Sequence, residues 1–126
     1  MRHRVAGKKL SRTKEQRLAL RRTLITDLFR YGALTTTETK VVAIRGEAEK
    51  IITTAKRANA SGDSAKVVSA RRLVAARLTD PEIVKKLFDE IAPKYAERPG
   101  GYTTVRKLGR RVGDAAPIAL LQLLEE

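Results

Sequence analysis

The chain has no cysteine, a single histidine and five aromatic residues, Phe29, Tyr31, Phe88, Tyr95 and Tyr102. Without cysteine, disulfides and thiolate metal sites are excluded, and nothing points to an oxidising compartment. The one histidine, His3, sits at the very start, where no packed neighbours would hold it in a catalytic triad. No HExxH, EF-hand or Cys/His pattern is present. Neither GxGxxG nor GxxxxGK[ST] occurs, so no cofactor, metal or small-molecule substrate is expected. The acid pairs Asp89–Glu90 and Glu125–Glu126 are neighbours in sequence and read as solvated helix and tail residues. Catalysis is therefore not expected. No apolar run reaches 18 residues, so no membrane span is expected, and the start lacks the apolar core of a secretory signal.

Acid is also scarce. Fourteen Asp and Glu face 27 Lys and Arg, a formal net charge of +13, and the pI is near 10.6. The imbalance is concentrated at the start. Residues 1–22 hold nine cations (Arg2, Arg4, Lys8, Lys9, Arg12, Lys14, Arg17, Arg21 and Arg22) against one acid, Glu15. Unpaired cations cannot be folded inward without a large desolvation cost, so this stretch needs an external anion. Organelle transit peptides also begin Arg-rich and acid-poor. They are amphipathic and Ser-rich, however, and residues 1–10 offer only Met1, Val5, Ala6 and Leu10 as apolar positions. Arg outnumbers Lys by sixteen to eleven, which favours phosphate as the partner, since guanidinium binds phosphate oxygens in a fork. Both Phe residues fall on helix core faces, leaving too few aromatics for a base-stacking platform. Recognition of folded RNA by phosphate and shape fits better.

With 126 residues, 42% of them hydrophobic, the chain fits one domain. Residues 1–12 are expected to be a flexible basic arm and 13–126 the globular part. Thr13 and Gln16 have capping-box spacing and begin a helix with Leu20, Leu24 and Leu28 on its apolar face, widened by Ile25 and Phe29. Lys14, Arg17, Arg21 and Arg22 form a separate basic stripe, and Gly32 stops the helix. Ala33–Thr37 reads as an exposed or edge strand. Val41, Ile44, Ala48, Ile51, Ile52 and Ala55 mark a second amphipathic helix. Val67, Ala70, Val74 and Leu78 mark a third, capped by Asp63 or Ser64. Asp80–Pro81 opens a fourth, with Ile83, Val84, Leu87, Phe88 and Ile91 facing the core and Pro93 ending it. Two strands follow, 102–108 and 118–124; the second is apolar on both faces, as a central strand can be. Residues 109–114 lie between them, and Arg106, Lys107, Arg110 and Arg111 put four cations on one hairpin, with Asp114 as a turn-stabilising side chain.

Several of these stretches resemble the bacterial large-subunit ribosomal protein L17 family. They are Met1-Arg2-His3-Arg4, Lys9-Leu10-Ser11-Arg12, Leu34-Thr35-Thr36-Thr37 and Glu82-Ile83-Val84-Lys85-Lys86-Leu87-Phe88. Gly100-Gly101-Tyr102-Thr103 and Arg111-Val112-Gly113-Asp114-Ala115-Ala116-Pro117 complete the likeness, which covers essentially the whole chain. The resemblance implies a structural, non-catalytic component of the cytoplasmic large subunit, bound to 23S rRNA near the peptide exit side, with other large-subunit proteins as neighbours. It also implies an α+β fold in two layers, a small three-stranded mixed sheet with helices on one face. The order α-β-α-α-α-β-β agrees with the elements read from periodicity and caps. The candidate RNA-binding residues are Arg2, His3, Arg4, Lys8, Lys9 and Arg12 in the arm, with Lys14, Arg17, Arg21 and Arg22 on the first helix. Arg106, Lys107, Arg110 and Arg111 on the hairpin complete the set. The alternative is a DNA-binding nucleoid or regulatory protein, which would need a base-reading helix, usually in a dimer.

Overall fold

The computed structural model describes residues 8–124. Arg2, His3 and Arg4, and the flexibility expected of residues 1–7, lie outside the described residues. The chain runs α1 (Lys14–Tyr31), β1 (Ala33–Thr37), α2 (Glu38–Ser61), α3 (Ser64–Ala75), a helical segment α4 over 81–94, β2 (Thr103–Arg110) and β3 (Pro117–Leu123). The α+β class and the element order stand as read from the sequence.

Local chemistry fixes most of the ends. Thr13 Oγ1 accepts from Gln16 N at 3.3 Å, and Thr13 N donates to Gln16 Oε1 at 3.2 Å, closing both halves of the capping box. Gly32 ends α1 at φ +78°, a conformation that costs a side-chain-bearing residue energy, and donates to Leu28 O at 2.8 Å. Asp80 caps α4 by accepting from Glu82 N at 2.9 Å, with Pro81 in the first turn.

Pro93 does not end α4. The helix instead widens into a π turn over Leu87–Ile91, and Ala92 N–H reaches back to Leu87 O. A proline inside a helix has no N–H to give and crowds the carbonyl four residues earlier, and the wider turn accommodates it. Phe88 O thereby loses both of its usual donors, since Ala92 N–H goes elsewhere and residue 93 is the proline. Asn59 Nδ2, from the end of α2, donates to that carbonyl at 2.9 Å.

The sheet has the order β1-β3-β2, and both pairings are antiparallel. This corrects the mixed sheet expected above. β1 and β2 point the same way, so a mixed sheet would need β1 to join beside β2. It joins the far edge of β3 instead, with Leu34 opposite Leu121 and Thr36 opposite Ala119. β3 is thus the central strand, but helices cover only one of its faces. Ala119, Leu121 and Leu123 are buried, while Ile118, Leu120 and Gln122 are half-buried.

The core lies between that face and the helices. It holds Ile25, Leu28 and Phe29 from α1, the six predicted α2 residues, Val74, Leu78, and Ile83 to Ile91 at the predicted α4 positions. Each large side chain buried in this way contributes about 1.5–3 kcal/mol. Thr26 is buried with its hydroxyl satisfied: Oγ1 donates to Arg22 O at 2.7 Å and accepts from Thr79 N at 3.3 Å. None of the residues 14–23 is buried, so the front half of α1 projects past the core.

Candidate nucleic-acid interface

The cations of the described residues divide by whether an acid neutralises them. Arg30 reaches Asp80 at 2.7 Å, Arg45 lies 3.9 Å from Glu49, and Arg71 reaches Asp89 at 3.1 Å. The first and third tie α1 and α3 to the cap and body of α4, and the second lies within α2. Arg30 is raised and Asp80 lowered from their ordinary pKa values; for Asp80 the Glu82 backbone N–H acts first, then the Arg30 guanidinium. By contrast Lys8, Lys9, Arg12, Lys14, Arg17, Arg21 and Arg22 make no salt bridge among the described residues.

What order this stretch has comes from backbone acceptors. Leu10 and Ser11 take φ of +56° and +53°, turning the chain so that residues 8–12 fold back on α1. Arg12 Nη1 donates to Leu10 O and Arg17 Nη1 to Arg12 O, each at 2.8 Å, while Arg21 Nη2 meets Lys8 O at 3.5 Å. Carbonyl contacts hold a guanidinium in place while leaving its charge uncancelled. Segment 8–22 is therefore a preformed basic surface on the projecting part of α1.

The hairpin cations are more occupied. Asp114 takes Arg111 in a fork, Nε to Oδ1 at 3.1 Å and Nη2 to Oδ2 at 2.5 Å, and also accepts from Ala116 N at 3.1 Å. The Arg111 hydrogen bonds, followed by the Ala116 N–H, hold the Asp114 carboxyl at about 2. The expectation of a turn-stabilising Asp114 is met. Lys107 lies 3.7 Å from Glu38 at the start of α2, and Arg110 Nη1 donates to Ala115 O at 3.0 Å. Arg106, exposed on the uncovered face opposite Leu120, is left without an acid among the described residues. The register shifts between Lys107 and Gly109, a bulge that turns the end of the hairpin away from the regular pleat. The chain leaves α1 beside the C-terminal end of β3, where Leu123 N donates to Gly32 O at 2.9 Å. The hairpin tip lies at the other end of that strand, roughly 20 Å away at 3.3 Å per residue.

The fold also gathers cations that the sequence kept apart. A depression of about 670 Å³ between α1, α2 and the end of α3 is lined by Arg21, Arg22, Lys50 and Arg77, with Gly46 and Glu47. Lys50 and Arg77 lie far from segment 8–22 in the sequence, and neither is among the candidate RNA-binding residues read from it. The one sequence signal for this cluster was a glycine in the interior of a 24-residue helix. Among the described residues no group of His, Asp or Glu could hold a metal ion, and no helix is long and apolar enough to cross a membrane.

The model of the ribosomal protein L17 family matches residues 20–124. The chain belongs to the ribosomal protein L17 family. Among similar proteins, the large ribosomal subunit protein bL17 of Thermoanaerobacter sp. (strain X514) is 48% identical over 117 residues, covering 93% of this chain and 97% of that protein. The bL17 of Halothermothrix orenii is 49% identical over 119 residues, or 94% and 97% of the two chains. The bL17 of Geobacter sulfurreducens is 45% identical over all 126 residues, which span 67% of that longer relative. Membership of the L17 family makes the chain a structural constituent of the large ribosomal subunit in the cytoplasmic ribosome, and not an enzyme.

Proposed function

We propose that this chain binds 23S rRNA through the basic surface of residues 8–22, with the 106–111 hairpin as a second contact. The observation that carries this reading is the separation of charges. Arg30, Arg45 and Arg71 of the scaffold have acids; the seven cations on segment 8–22 have none among the described residues. Seven uncancelled charges, three on residues 8–12 and four on the front half of α1, repel one another, and phosphate is the anion whose geometry suits the four arginines among them. Arg2, His3 and Arg4 would extend the same surface, and Lys14, Arg17, Arg21 and Arg22 set its direction relative to the core. At the hairpin Arg106 and Arg110 offer the free charge, with Lys107 beside Glu38 and Arg111 shaping the loop. Neighbouring large-subunit proteins complete the set of partners; no membrane or small-molecule ligand belongs to it.

Salt dependence of binding tests this directly. If roughly six phosphates are neutralised, log affinity for a 23S rRNA fragment should fall against log salt with a slope of about −4 to −5. A slope near zero overturns the electrostatic reading. Duplex DNA of equal length should compete poorly at high salt, and equal competition would return the DNA-binding alternative.

A further inference from the structure

We infer that the groove across α2 extends the basic surface of 8–22 into a seat for an RNA strand, whose sugar–phosphate backbone lies over Gly46 with its phosphates held by Arg21, Arg22, Lys50 and Arg77. This rests on the rRNA-binding reading and adds to it a surface formed only when three helices come together.

Three observations converge on the groove. Four cations from α1, α2 and the loop after α3 surround one acid, Glu47, and none of the four makes a salt bridge among the described residues. The Nε atoms of Arg21 and Arg22 are shut off from solvent, yet no acceptor meets either among the described residues. A sheltered donor without an acceptor is uncommon in a folded protein, and the two guanidiniums that carry these atoms line the groove. A phosphate oxygen is an acceptor of the right charge for a guanidinium. The third observation is Gly46 itself. A glycine within a helix is destabilising relative to alanine and is usually explained by close packing. Here a Cβ at Gly46 would meet nothing from another element within 4 Å. The bare floor faces open space, as a surface kept clear for a ligand would.

The groove does not end there. A second depression of about 630 Å³ shares Gly46, Lys50 and Arg77 and continues to Arg57 and Tyr102. From Gly46 to Arg57 is roughly 16 Å along the axis of α2, so the track is elongated, as a nucleic-acid strand requires. At its other end Arg21 bonds the Lys8 carbonyl, which joins the groove to the basic surface of 8–22. That continuity favours an RNA strand over an acidic protein segment.

The absence of cysteine allows a site-directed test in reconstituted large subunits. An iron chelate attached through Thr54→Cys, on the groove wall, and a reference chelate through Glu15→Cys, on the projecting part of α1, should each cleave 23S rRNA, at different nucleotides. Cleavage from the Glu15 position alone overturns the groove and leaves the rRNA reading intact. No cleavage from either position overturns both, and cleavage of a neighbouring protein from Thr54 assigns the groove to protein. Two variants of the full chain add a binding readout. Lys50→Gln with Arg77→Gln should make the log–log salt slope shallower by about 1.5. Gly46→Leu, which fills the floor without altering charge, should raise the melting temperature by about 3 °C while weakening RNA binding severalfold. A stabilised Gly46→Leu protein with unchanged RNA affinity overturns the proposal.

Discussion

Asp114 holds the end of the hairpin through a forked Arg111 and the Ala116 N–H. Its carboxyl sits at about 2, below the ordinary 3.8, because those partners favour the charged form. A depressed acid contributes stability that is present above about 3.8 and is lost as pH falls through about 2. The melting temperature should therefore decline through that window, and Asp114→Asn should remove this part of the decline. Following the carboxyl carbon by NMR should give a midpoint near 2; a midpoint near 3.8 would show that the clamp does not persist in solution. The same clamp ranks the hairpin arginines. Arg106→Gln should lower rRNA affinity more than Arg111→Gln, because Arg106 is without an acid among the described residues while Asp114 holds Arg111, and filter binding of the two variants decides it. The sequence showed Asp114 as a turn residue through its place between Gly113 and Pro117. It did not show the fork, which forms in a loop where Ala115 takes φ +56°.

Whole elements differ in how far packing supports them. The front half of α1 has no buried residue, and short helical segments without packing are marginal in water, so its cap carries unusual weight. Thr13→Ala should destabilise it by about 1 kcal/mol. Hydrogen exchange should speed up at the amides of residues 14–22 and not at those of 24–30, which the core holds. Uniform acceleration would mean that the projecting turn unfolds only with the whole protein. In α4, Asn59→Ala should cost about 1 kcal/mol in urea unfolding by releasing the Phe88 carbonyl. The cost should shrink in a Pro93→Ala background, where a backbone N–H becomes available; an equal cost in both backgrounds would break the link between the π turn and Asn59. Elements with chemical ends were legible. Thr13 with Gln16, Gly32, and Asp80 with Pro81 stand where the sequence placed them, and both late strands lie within two residues of expectation. The π turn was not, because Pro93 read as a stop, whereas the helix runs one residue past it to Lys94.

The molecule as a whole sets one projecting basic helix and one basic hairpin on a single rigid core. Neither the antiparallel edge chosen by β1 nor the meeting of Arg21, Arg22, Lys50 and Arg77 could be read from the chain. Both depend on which elements become neighbours, and local periodicity carries no such information. That arrangement makes the two proposed contacts separable by experiment. Lys14→Gln with Arg17→Gln reduces charge on the helix, and Arg106→Gln with Arg110→Gln reduces it on the hairpin. At physiological salt the Debye length is about 8 Å, so two sets that act as separate contacts should not sense each other through solvent. Each pair should make the salt slope for a 23S rRNA fragment shallower by about 1.4–1.8, and all four changes by about 3. The losses in binding free energy should add to within about 0.5 kcal/mol. If the hairpin pair leaves slope and affinity untouched, the RNA meets only the helical surface, and the hairpin is free to serve a protein neighbour. If either pair alone removes the whole slope, the two surfaces act as one continuous contact, and the rigid core between them does not set the RNA segments apart.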